Sequence, residues 1–166
     1  MMQRRLRVLL LVFSLVILQT TIFTHLHVFG AIPDLLLVAT VAVAYNEGPQ
    51  TGALFGFFSG LVLDLFLVSP FGLSAISNSV TGWAIGTFQA GMAFQTRRTQ
   101  VFLAALGGVI GGTVFMVVGG VVGVAGYLSL YSVQVIVAGS IWDAVVSVPI
   151  FMFVHWALMT EHLRRY

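Results

Sequence analysis

Two carboxylates embedded in apolar sequence are the residues best placed to do chemistry. Asp64 sits in Leu61-Val62-Leu63-Asp64-Leu65-Phe66-Leu67, and Asp143 follows Trp142 in a comparable run. An Asp at the centre of a spanning helix costs about 2.5–3.5 kcal/mol, so such a group faces a protein interior or a cavity rather than lipid. Two carboxylates held side by side could share a proton, as in an aspartyl protease dyad. Singly, each would instead cap or hydrogen-bond a neighbouring helix. That second reading is preferred, because neither residue has the Asn-x-x-Asp surroundings of membrane aspartyl peptidases. His25 and His27 are spaced i, i+2 with no third ligand nearby, a weak metal pattern that reads as interfacial polar groups. His155, beside Trp156, reads the same way. The chain has no cysteine, which excludes disulfides, thiolate nucleophiles and thiolate metal sites. It has no phosphate loop, nucleophile elbow or His-Glu-x-x-His pattern either. The expectation is a protein that is not an enzyme and uses no cofactor or metal.

The elements that must position these acids are helices. Gly48, Gly52, Gly56 and Gly60 recur every four residues, and Asp64 is the next step of that ladder. Positions i and i+4 stack on a helix face, so Gly52, Gly56 and Gly60 form a groove into which a second backbone can press, as helices do in lipid. Composition places this helix in a membrane. Hydrophobic residues make up 59% of the chain and charged ones only 7%, against about 25% charged in soluble domains. All 166 residues are therefore expected to form a single integral membrane domain, 1–166. Apolar runs and their Pro/Gly punctuation predict helices at about 6–24, 34–46, 50–68, 73–91, 100–126 and 135–158. The first run is too long for a signal-peptide core and is expected to stay as a membrane helix. Pro33 suits the first turn of the second helix, and residues 127–134 suit an interfacial loop.

Six crossings place Arg4, Arg5, Arg7, Arg97, Arg98, Arg164 and Arg165, every basic residue of the chain, on one side. The positive-inside rule makes that side the cytoplasm, with both termini there; so few basic residues, all near helix ends, form no nucleic-acid patch. Asp34, Asp64, Asn78 and Asp143 then gather in the outer half of the bilayer. With Phe71 and Trp142 as apolar anchors, they are expected to line an outward-facing pocket that receives a partner.

The motifs resemble those of the rod shape-determining protein MreD family. The resemblance is densest at Pro33-Asp34-Leu35-Leu36-Leu37, at Gly48-Pro49, through Gly52 to Asp64, and at Ser69-Pro70-Phe71-Gly72-Leu73. The second half is less close, with Asp143 standing where the family pattern implies an Asn. The resemblance implies a non-enzymatic scaffold of the bacterial inner membrane that supports cell elongation and peptidoglycan synthesis. It implies MreC, a single-span protein, as the direct partner, and through it MreB and the elongation wall synthases. It also implies a compact all-α bundle of six transmembrane helices similar to the substrate-binding components of energy-coupling-factor transporters. That likeness supplies an alternative, a vitamin-like small-molecule binding subunit of a membrane transporter. The absence of glycine and alanine from residues 6–26, where such a subunit would meet its transporter, favours the scaffold.

Overall fold

A computed structural model describes residues 2–21, 31–67, 69–92, 96–123 and 129–158. The expectations for His25, His27, Arg164 and Arg165 fall outside these segments. The described chain is all-helical: α1 (Met2–Thr21), α2 (Leu35–Glu47), α3 (Pro49–Asp64), α4 (Leu73–Ala90), α5 (Arg97–Val121) and α6 (Leu130–Leu158). Of these, α5 and α6 are long and apolar enough to cross a membrane; the apolar stretches of α1 and α2 are shorter.

α2 is the axis of the bundle. Its sequence LLLVATVAVAYNE has no polar face, and a helix that is apolar all round belongs inside. Every residue from Leu35 to Tyr45 is buried. The other five helices all touch it, and they follow one another round it in the order α3, α4, α5, α6, α1, with only a slight contact closing the ring between α1 and α3. This explains a helix of only 13 residues. At about 1.5 Å per residue it spans about 20 Å, well short of the roughly 30 Å hydrocarbon layer, and it presents almost nothing to lipid.

Two glycine seams knit the ring. On α3, a Cβ added to Gly60 would meet the Ala75 backbone, one on Gly56 the Asn78 backbone, and one on Gly52 the Ala44 side chain and the Gly82 carbonyl. Gly86 in turn abuts the Pro49 backbone. These partners step backwards along α4 as α3 advances, so the pair is antiparallel with backbones in close contact. α5 and α6 repeat the device, with Gly108 against Ser140 and Gly112 against Ile136. Between helices in lipid no hydrophobic drive operates, and close packing of this kind is what holds them together. The outer surface is the reverse of a soluble protein's. Leu9, Leu10 and Phe13 on α1, Leu54 and Phe58 on α3, Trp83 and Phe88 on α4, and Ile141, Val145 and Phe153 on α6 are exposed. Apolar surface on this scale marks a membrane-facing protein.

Several boundaries depart from the sequence expectations. α3 stops at Asp64 rather than running to residue 68, because the Asp64 carboxylate is engaged by the start of α4. α6 begins at Leu130, not at 135: the Ser129 hydroxyl accepts from the Ser132 N–H and caps the helix five residues early. Thr96 does the same for α5, drawing Arg97 and Arg98 into its first turn, and Gly123 (φ 85°) lies just beyond its end at Val121. Pro33 lies before the cap of α2 rather than within its first turn; the proline that starts a helix is Pro49, on α3.

Candidate functional site

Each of the three aspartates is tied to the start of a helix, where backbone N–H groups lack intrahelical partners. Asp34 is the N-cap of α2, and its Oδ1 accepts from the Leu36 and Leu37 N–H groups at 3.1 and 3.0 Å. Gln19 on α1 adds its side-chain amide at 3.5 Å. The Asp34 N–H itself donates to Asp143 Oδ1 of α6 at 2.8 Å. Asp143 therefore clips the middle of α6 to the mouth of α2. Asp64 performs the equivalent service for α4: its carboxylate accepts from the N–H groups of Gly72 (2.8 Å), Ser74 (3.1 Å) and Ala75 (3.4 Å). Gly72 holds φ at 95°, a left-handed conformation that turns this amide towards the acid.

Because α2 is short, the bundle is not filled above its start. A cavity of about 810 Å³ opens there. Its floor carries Asp34, Ser74, Ser77, Asn78, Ser140 and Asp143, and its sides carry Leu37, Leu63, Phe115, Met116 and Ile136. Gly108, Gly111 and Gly112 of α5 also line it, and at Gly139 of α6 an added Cβ would meet nothing within 4 Å. Phe66, Leu67 and Tyr131 line it and are also exposed, so they form its mouth. The end of the bundle that holds the cavity is the one where α1, α3 and α5 finish and α2, α4 and α6 begin. The arginine-bearing starts of α1 and α5 lie at the other end. The Arg7 guanidinium there stands 5.5 Å over the Trp156 ring near the end of α6. At that end, too, Tyr45, near the close of α2, meets Phe151 edge to face at 5.6 Å.

Of the residues expected to form one pocket, the structure brings Asp34, Asn78 and Asp143 to the cavity wall. It places Asp64 elsewhere, buried against the start of α4 (4% exposed). Phe71 is exposed and Trp142 half-buried, and neither lines the cavity. The acidic residue that meets Asp143 is thus Asp34, 109 residues away, through its backbone amide, and not Asp64. Gln19 and the α5 glycines are cavity residues that sequence reasoning missed. Gln19 carries no signal in the sequence, and glycines such as Gly108, Gly111 and Gly112 signal close helix packing rather than a cavity.

Chemically, these acids are acceptors already engaged by main-chain donors, an arrangement that holds helix ends in place. Two of the cavity's residues keep a buried polar atom without a partner, Nδ2 of Asn78 and Oε1 of Gln19. Among the described residues no group of three or more His, Cys, Asp or Glu is arranged to hold a metal ion. A family model described as rod shape-determining protein MreD matches residues 2–160, nearly the whole chain. No curated protein and no solved structure matches.

Proposed function

The chain belongs to the rod shape-determining protein MreD family, and from that premise we propose that it is a non-enzymatic, multi-pass scaffold of the bacterial inner membrane that binds MreC at the cavity end of its bundle. The family ties the protein to rod shape determination. The finer reading rests on one observation: the cavity and its exposed apolar mouth lie at the end of the bundle away from the arginine-bearing starts of α1 and α5. Under the positive-inside rule that end faces outward, with both termini in the cytoplasm. In this reading all six helices cross the bilayer, in an arrangement similar to the substrate-binding components of energy-coupling-factor transporters. α2 is carried inside the ring, and the mouth meets the membrane-proximal part of MreC where that chain leaves the membrane. Through MreC the scaffold joins MreB and the wall synthases of cell elongation and supports peptidoglycan synthesis. Phe66, Leu67 and Tyr131 supply the apolar contact, with Phe71 next to them on the connection between α3 and α4, since aromatic anchors dominate such interfaces. Asp34, Asn78 and Asp143 give the polar floor beneath, while Asp64 and the glycines at 52, 56 and 60 hold α3 and α4 in place.

The test is recovery of MreC with Phe71→Ala, Tyr131→Ala and Gly139→Leu chains, the amount of each in the membrane being measured separately. Reduced recovery at normal abundance is expected for all three. Full recovery by all three would move the interface off the cavity end.

A further inference from the structure

We propose that the cavity is a lipid site, which takes an uncharged hydroxyl- or amide-bearing headgroup on Asn78 Nδ2 and lets the acyl chain leave between Phe66 and Leu67. Asn78 is 2% exposed and lines the cavity, and its Nδ2 is buried with no partner. Other polar groups of the floor are already engaged. Ser77 donates to the Gly111 carbonyl at 2.6 Å, Ser140 to that of Ile136, and Asp34 and Asp143 accept from backbone amides. A buried amide donor without a partner is uncommon in a folded protein and calls for an acceptor. Gln19, which lines the same space, has a second unpartnered atom, its buried Oε1. Its orientation is fixed, because turning the amide over would set this oxygen against the Asp34 carboxylate, which now faces Nε2. A free donor and a free acceptor are together the complement of a hydroxyl or an amide, each of which both gives and takes a hydrogen bond.

Charge and shape narrow the class further. The described lining has no Arg, Lys or His, and it has two carboxylates, so a phosphate or carboxylate headgroup would meet repulsion with nothing to offset it. The volume lies within the roughly 300–1,000 Å³ of small-ligand sites. The remaining walls, Leu37, Leu63, Phe115, Met116 and Ile136, suit a hydrocarbon chain. The proposal does not require MreC docking, because it is tested on the chain alone.

The experiment uses the full chain exchanged into amphipol and titrated at pH 8 with monooleoylglycerol or with oleate, the same chain carrying a carboxylate. Native mass spectrometry reads the adduct, and a thermal melt reads the fold. The wild type is expected to bind monooleoylglycerol saturably, one per chain, and oleate at least tenfold more weakly. Asn78→Leu should weaken monooleoylglycerol by about tenfold, the loss of one buried hydrogen bond. Gly139→Leu should abolish it, because a Cβ at Gly139 meets nothing within 4 Å and the added side chain fills the cavity without displacing a helix. Without probe, Asn78→Leu should melt at or above the wild-type temperature, since it removes an unpartnered buried donor. A lower melt would show that water or the protein already satisfies Asn78, and would overturn the proposal. Equal binding by Asn78→Leu, or oleate binding as tight as the glyceride, would overturn it too.

Discussion

The same substitution, glycine to alanine, should have opposite signs at two helical positions of this bundle. An added Cβ at Gly60 would stand 2.5 Å from the Ala75 Cα and 2.6 Å from its N. Carbon atoms in comfortable contact are about 3.5–4.0 Å apart, so α3 and α4 must part by about 1 Å. Both obstructing atoms are backbone, so no side chain can rotate away. Overpacking of this kind costs about 1–3 kcal/mol. Against it stands the gain of roughly 0.5–1 kcal/mol that alanine brings to a helix interior. The net for Gly60→Ala is a loss of about 1–2 kcal/mol. At Gly139 the clash is absent, since nothing lies within 4 Å of the added carbon, and only the gain remains. The two variants should therefore differ by about 2 kcal/mol in reversible unfolding by sodium dodecyl sulfate from mixed micelles, followed by tryptophan emission. Gly60→Ala equal to or more stable than Gly139→Ala would refute the close approach of α3 and α4.

Asp64→Ala should destabilise the fold by about 3 kcal/mol in the same assay. It strands the amides of Gly72, Ser74 and Ala75, and Asp64→Asn, which keeps one accepting oxygen, should lose less. Single cysteines at Arg97 and Ser129, which start α5 and α6 at opposite ends of the bundle, should react with an impermeant thiol reagent from opposite sides of the membrane. Reaction from the same side would sink the six-crossing reading.

Much of this architecture is readable from residue spacing. The four-residue glycine ladder marks α3 as a packing helix because a missing side chain is visible in any sequence, and on α3 Gly56 and Gly60 lie against the α4 backbone. That Asp64 belongs to the same ladder was also visible. Its role was not, because the three amides it holds belong to residues 8 to 11 places further on, across a turn whose geometry depends on a left-handed glycine. The unusual shortness of the second helix could be read directly, but its cause could not: being central is a relation to five other helices, and no local pattern encodes it. Asp34 and Asp143 were expected at one pocket, but the bond from the Asp34 amide to the Asp143 carboxylate was out of reach, since each residue taken alone looks like an ordinary cap or an ordinary buried acid. The ends of α5 and α6 slipped because Thr96 and Ser129 act as caps in stretches whose apolar periodicity is weak.

The position of α2 has a consequence for how the protein is made. The segment emerges second from the ribosome, yet four of its five neighbours, α3, α4, α5 and α6, are synthesised after it. Until α6 arrives, the Asp34 amide lacks the Asp143 oxygen and a flank of the axis stands open to lipid or water. A helix about 20 Å long cannot hold itself across a bilayer while it waits. Biogenesis is thus a closing movement in which the last helix seals the second. A nascent chain stalled before α6 holds an unfinished axis, without the contacts that α6 makes to α2 and without the Asp143 bond to its start.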